Sequence, residues 1–165
     1  MTHSEYRILK NQLDKVGRLI HSNRVQYPIS KLSNIDRIVP SSSGVYWIQT
    51  DMPTDTLLQA IVKTTKKNKK IRKNPPSGVE LIEQMHSGLY TVYSGTEANL
   101  NKRLKQHLFN LDSPSTAKLG CIINRKPFSE YEWRISFTEI DSYELRYAIE
   151  SWWRLNIGWP KFCIR

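Results

Sequence analysis

The chain has 165 residues, 39% of them hydrophobic and 24% charged, which is ordinary globular usage, and an aromatic share of 10% argues against disorder. Lysine and arginine number 25 against 15 acidic residues, a net charge of +10 that suits a polyanionic partner. Cys121 and Cys163 have neither zinc-ligand spacing nor a disulfide framework, no apolar stretch near the N-terminus resembles a signal peptide, and no run approaches a membrane span. The expectation is a cytoplasmic, soluble protein with reduced thiols and no membrane contact.

Residues 4–21 carry Ile8, Leu9, Leu13, Val16, Leu19 and Ile20 at helical spacing, with Ser4 as the expected N-cap. A second short apolar pattern, Ile29, Leu32, Ile35 and Ile38, follows Pro28, and residues 40–43 read as a loop. Residues 44–50 are β-branched or aromatic and predict a strand that ends before Pro53. Leu57, Leu58, Ile61 and Val62 predict a helix over 55–63. A cationic run follows, with Lys63, Lys66, Lys67, Lys69, Lys70, Arg72 and Lys73. Residues 79–85 fit either a short strand or a helix.

Residues 89–94 predict a second strand, and Leu100, Leu104, Leu108 and Leu111 a helix. Residues 132–140 alternate like a third strand. Asp141, with Glu144 three residues on, predicts the cap of a final helix through Leu145, Ile149, Trp152 and Trp153, stopped by Gly158 and Pro160. Strands joined without a clear crossover helix favour antiparallel pairing. The expected class is α+β, a small three-stranded antiparallel sheet flanked by helices. Residues 1–40 are expected to form a helical extension, and a basic insertion at about 51–88 separates the first two strands.

Arg103 and His107, four apart, project from one face of their helix beside the leucine stripe. A guanidinium beside an imidazole suits phosphoester chemistry, although the polar Asn101, Lys102, Lys105 and Gln106 also fit an ordinary solvated face. Glu150 lies between Ile149 and Trp152. One carboxylate can anchor Mg²⁺, which keeps several waters; equally, Glu150 can be a surface carboxylate paired with Arg146 or Arg154. Tyr46 and Tyr93 sit in expected strands, where tyrosine is favoured for packing alone. The lysines place positive charge where a DNA backbone can lie, without carrying sequence information.

Taken in order, Gly44-Val45-Tyr46, Tyr93-Ser94-Gly95, Arg103 ten residues after Tyr93, His107 one turn later and the late Glu150 resemble the GIY-YIG nuclease superfamily. The resemblance runs from about residue 41 to the C-terminus. It implies a restriction-type DNA endonuclease domain over 41–165, with Tyr46, Tyr93, Arg103, His107 and Glu150 as catalytic residues. Glu150 would hold one Mg²⁺ or Mn²⁺ per active site, and Gly44 and Gly95 would be structural. It further implies an asparagine a dozen or more residues after the glutamate; Cys163 stands near that place and Asn156 comes earlier. The implied partner is double-stranded DNA, met by Lys102 and the lysine-rich insertion, with cleavage of both strands by a homodimer and no nucleotide cofactor. A repair- or homing-type nicking nuclease, or a non-catalytic nucleic-acid-binding module that keeps the fold, fits the same charge.

Overall fold

The computed structural model describes residues 2–64, 74–84, 87–111 and 119–163. Five helices are seen among them: α1 His3–Ser22, α2 Leu32–Ile38, α3 Thr54–Thr64, α4 Leu100–Phe109 and α5 Tyr143–Asn156. The strands are β1 Tyr27–Pro28, β2 Gly44–Thr50, β3 Leu81–Ile82, β4 Tyr90–Glu97, β5 Trp133–Glu139 and β6 Trp159–Pro160. The α+β class and the antiparallel pairing are as expected. The strand count is not: the main sheet has four strands, in the order β1-β5-β2-β4. The extra one, β1, pairs Tyr27 with Ile135 and Pro28 with Arg134. Two residues are too few to show an alternating pattern, so nothing in the sequence marked them as a strand.

β2 is central, and all seven of its residues are buried. A strand covered on both faces needs apolar bulk on both, which is why Val45, Tyr46, Trp47 and Ile48 run without alternation. Tyr46 and Ile48 point to one core, with Ile35, Leu57, Ile61, Leu100, Leu104 and Leu108. Val45 and Trp47 point to a second, built with Ile149, Trp152 and Trp153. Helix α4 therefore covers one face of the sheet and α5 the other.

Helix α3, inside the expected insertion, is part of the first core rather than an appendage: Leu57 and Ile61 are fully buried. The insertion returns through β3, which pairs in parallel with β6. This settles residues 81–82 as strand. Gln84 ties the return to the start, donating from its backbone N–H to Thr54 Oγ1 at 2.9 Å and from its amide to the Asp51 carbonyl at 2.8 Å. Lys66, Lys67, Lys69, Lys70, Arg72 and Lys73 lie outside the described residues; Lys63 falls in α3.

Two helix caps differ from expectation. Thr2, not Ser4, caps α1: its hydroxyl accepts from the Glu5 N–H, and the Glu5 carboxylate accepts from the Thr2 N–H at 2.6 Å. Ser142, not Asp141, caps α5, its hydroxyl accepting from the Leu145 N–H at 3.1 Å. In both places two capping-type residues stand within two positions, and the turn into helical backbone selects between them. No helix among the described residues is long and apolar enough to cross a membrane.

Helix α1 closes the second core at Gly17, where a Cβ would stand 2.2 Å from the Trp152 ring. One turn later His21 Nδ1 accepts from the Trp153 indole N–H at 3.1 Å and faces the Arg24 guanidinium at 3.1 Å. Arg24 in turn lies over the Trp47 ring at 4.6 Å. An imidazole whose Nδ1 accepts from two donors must be neutral at that nitrogen. Burial, then the Arg24 charge, lowers the His21 pKa below 6.5. The unfolded chain binds this proton more readily, so the contribution of His21 to stability is whole above about pH 6.5 and shrinks as pH falls. Thermal melts should show stability dropping from pH 7.5 to 5.5, with a smaller drop in His21→Gln; equal drops in the two proteins would remove His21 as the cause.

Candidate active site

The register of β2 against β4 sets the site. Tyr46 stands opposite Gly95, and Tyr93 opposite Ile48. Directly opposed residues share a face, so Tyr46, Tyr93 and Gly95 all look toward α4. The Tyr46 ring crosses β4 over Gly95, where a Cβ would lie 2.5 Å from the phenol oxygen. Gly44 meets a different obstacle: its Cβ would stand 2.3 Å from the Thr138 carbonyl oxygen and 2.9 Å from Leu100 Cδ1. Both glycines thus stand where a Cβ would clash with neighbouring atoms.

Helix α4 brings the polar groups. Asn99 caps it, accepting from the Lys102 N–H at 2.9 Å, and the Asn101 amide fastens it to the carbonyls of Ile35 and Val39. Leu100, Leu104 and Leu108 are fully buried. Beside them His107 is fully buried too and Gln106 is 7% exposed, so this side of α4 is not a solvated face. Lys102 is exposed.

His107 sits between two partners. Its Nδ1 accepts from the Leu119 backbone N–H at 2.8 Å, and its Nε2 lies 2.8 Å from the Tyr46 hydroxyl. An Nδ1 that accepts carries no proton, so neutral His107 holds its proton on Nε2 and donates it to Tyr46. Arg103 also hydrogen-bonds to Tyr46. Its Nη1 donates to the Gln106 amide oxygen at 3.0 Å, and Glu97 lies 3.7 Å from its Nε. Tyr93 completes the group, its ring 4.4 Å from His107 and stacked at 6.2 Å on Tyr46.

Two donors converging on one phenol oxygen favour the phenolate, but burial opposes them. Burial, with the neighbouring Tyr93, pushes the Tyr46 pKa well above its ordinary value, and Arg103 pulls it partly back. Burial raises Tyr93 to about 12. Both groups are phenols at neutral pH.

Glu150 comes from the opposite face, on α5. Its carboxylate is paired with Arg154 and accepts from the Thr96 hydroxyl. Its charge nevertheless reaches both phenols, raising the pKa of each. Four of the five expected residues therefore touch one another, and the fifth meets them electrostatically across the outer strand β4. Burial raises the pKa of Glu150 itself, while Arg154 and Thr96 oppose the rise.

Arg154, expected only as a partner of Glu150, and Cys163, which stands near the place of the implied asparagine, both gather at Ser94 of the second motif. Arg154 Nε donates to Ser94 Oγ at 2.9 Å and Nη2 to the Ser94 carbonyl at 2.6 Å. Cys163 Sγ accepts from the Ser94 N–H at 3.3 Å and donates to its carbonyl at 3.4 Å. Asn156 is turned back on its own helix, donating to the Trp152 carbonyl at 2.8 Å. Spacing alone pointed to Arg154 only as a partner for Glu150; its hold on β4 depends on how the chain end returns.

No family model, curated protein or solved structure matches the chain.

Gly95→Ala should push the Tyr46 ring aside, costing about 1–3 kcal/mol in a urea titration and breaking the His107–Tyr46 bond. An unchanged imidazole ¹⁵N spectrum would count against this packing. The phenols give a pH signature at the other extreme. Raised phenol pKa values mean that their contribution to stability is whole below pH 10 and declines as pH rises toward about 12. Absorbance at 295 nm should show tyrosine titration steps above pH 11 that shrink in a Tyr46→Phe, Tyr93→Phe protein, leaving the step of Tyr90, which burial also raises to about 12.

Proposed function

We propose that the protein is a metal-dependent DNA endonuclease of the GIY-YIG type, restriction-like and specific for double-stranded DNA. The observation that carries this reading is the convergence of Arg103 and His107 on the Tyr46 oxygen, within electrostatic reach of Glu150. Packing alone gives no reason to bury a histidine, an arginine and two tyrosines together, because each polar group taken from water must be repaid by a partner.

One carboxylate is compatible with a magnesium or manganese ion, and among the described residues no group of three or more His, Cys, Asp or Glu adds further ligands. Such an ion needs one or two carboxylate oxygens and keeps its waters. A carboxylate has about four lone-pair sites, and Arg154 and Thr96 use two of those on Glu150. A carboxyl group whose pKa is raised by burial is also one that a cation stabilises. Glu150 would hold the ion, and the ion, when bound, would stabilise negative charge on the scissile phosphate and the leaving oxygen.

The chain's own groups have distinct tasks in the hydrolysis, in which water adds to phosphorus and one phosphorus–oxygen bond breaks. Arg103, beside the Tyr46 hydroxyl, offers its guanidinium to a non-bridging oxygen, as the resemblance implies. Tyr46 accepts from His107 and Arg103, which leaves its own hydroxyl proton to orient the attacking water. His107 positions Tyr46 and is not its base, because the Leu119 N–H occupies Nδ1. Tyr93 walls the imidazole on one side. Lys102 and the lysine-rich insertion supply backbone affinity, and a homodimer with one such site per subunit would cut both strands.

Glu150→Ala should lose Mg²⁺-dependent plasmid cleavage by at least about 100-fold while DNA binding stays near normal. Undiminished cutting would sink the assignment of Glu150; binding without any cutting by the native protein would favour a non-catalytic nucleic-acid module. Replacing Lys66, Lys67, Lys69 and Lys70 together by Gln should reduce the salt slope of DNA binding by up to about 3–4. A slope that does not move would take these lysines off the phosphates.

A further inference from the structure

Arg154 is the most constrained cation in the described structure that the proposed hydrolysis does not use. Only 9% of its side chain is exposed, and 13% of that of Glu150. Its guanidinium is fastened to β4 by two hydrogen bonds, to Ser94 Oγ and to the Ser94 carbonyl, neither of which involves Glu150. The Trp159 ring lies under it at 5.3 Å. Trp159 is itself fixed by its backbone N–H, which donates to the Glu80 carbonyl at 2.8 Å. The guanidinium is therefore held in place from below and from the side, and presents its remaining N–H edge to the Glu150 carboxylate.

This arrangement is stronger than the i,i+4 spacing alone provides. An exposed pair at that spacing is weak and mobile. Here the arginine is planar, buried and anchored independently, and a carboxylate left in the same place without it would be an unpaired buried charge. Among the described residues, the other partner of Glu150 is the uncharged Thr96 hydroxyl. Among the described residues, the positive charge paired with the carboxylate comes from a side chain that cannot swing away without releasing Ser94.

We propose that Arg154 is the resident counter-cation of Glu150: it neutralises and positions the carboxylate in the metal-free protein, so that a divalent cation must compete with it for Glu150. The inference rests on the reading of Glu150 as the metal ligand. It assigns Arg154 as a positioning residue that tunes metal affinity downward while keeping the empty site folded. Two positive charges within about 4–5 Å at a partly buried carboxylate repel appreciably, so the competition should be visible in binding.

The test is Mn²⁺ binding at pH 8, followed by the electron paramagnetic resonance of free Mn²⁺, together with thermal melts in chelator. Arg154→Met should melt about 6–15 °C below the native protein in chelator, since the carboxylate loses its partner. The same variant should bind Mn²⁺ about tenfold tighter than the native protein. Arg154→Lys keeps the charge, so its Mn²⁺ affinity should stay within about threefold of native. That variant also carries the test if Arg154→Met does not fold, because tightening by tenfold or more in Arg154→Lys would contradict a charge competition. Equal Mn²⁺ affinity in folded Arg154→Met and native protein would overturn the proposal. Glu150→Gln separates the two readings. If it abolishes Mn²⁺ binding while Arg154→Met leaves affinity unchanged, only the role of Arg154 falls. If native protein and Glu150→Gln bind Mn²⁺ alike, the metal assignment of Glu150 falls, and this inference with it.

Discussion

Tyr46 faces Gly95 across the β2–β4 pair, and a slip of one residue would turn the phenol to the α5 side. That register depends on β2 being buried on both faces, because its two sets of side chains enter different cores. The glycine is what the crossing requires. Any side chain there would occupy the space of the phenol oxygen, and with it the position where His107 and Arg103 converge. The polar cluster is thus a product of strand register first and of helix placement second.

The site has two halves with different electrostatic characters. On the α4 side, neutral phenols and a neutral imidazole surround one guanidinium, and burial keeps the tyrosines protonated. On the α5 side, a carboxylate and a guanidinium pair closely within the second core's flank. The outer strand β4 separates them by a single layer of backbone. Charge on one side is therefore felt on the other, while the hydrogen-bond networks stay distinct.

Much of this was legible in the sequence, for physical reasons that differ by element. β2 was legible because Val45 to Ile48 are apolar without alternation, as a strand covered on both faces favours. α4 was legible because its leucines repeat at 100, 104 and 108 beside the four-residue spacing of Arg103 and His107. Gln106 misled, since a polar residue next to a stripe looks solvated, yet here it is buried and holds Arg103. β1 was hidden because two residues carry no period. The hold of Arg154 and Cys163 on Ser94 was hidden because it arises where distant segments meet, and no local rule joins residue 94 to residue 163. The core role of α3 was partly visible in its apolar spacing, but the run of lysines beside it made the whole segment look like an exposed insertion.

The way the sheet ends has a consequence for association. A sheet edge normally offers a row of free N–H and C=O groups to any passing strand. Here one edge is a two-residue strand that includes Pro28, which has no N–H to offer. At the other edge, the outward N–H and C=O of Ser94 are taken by a thiol and a guanidinium of the same chain. At Pro28 and at Ser94, an incoming strand would find no free N–H to pair with. Edge-to-edge pairing is thus discouraged at these two positions, one on each border of the sheet.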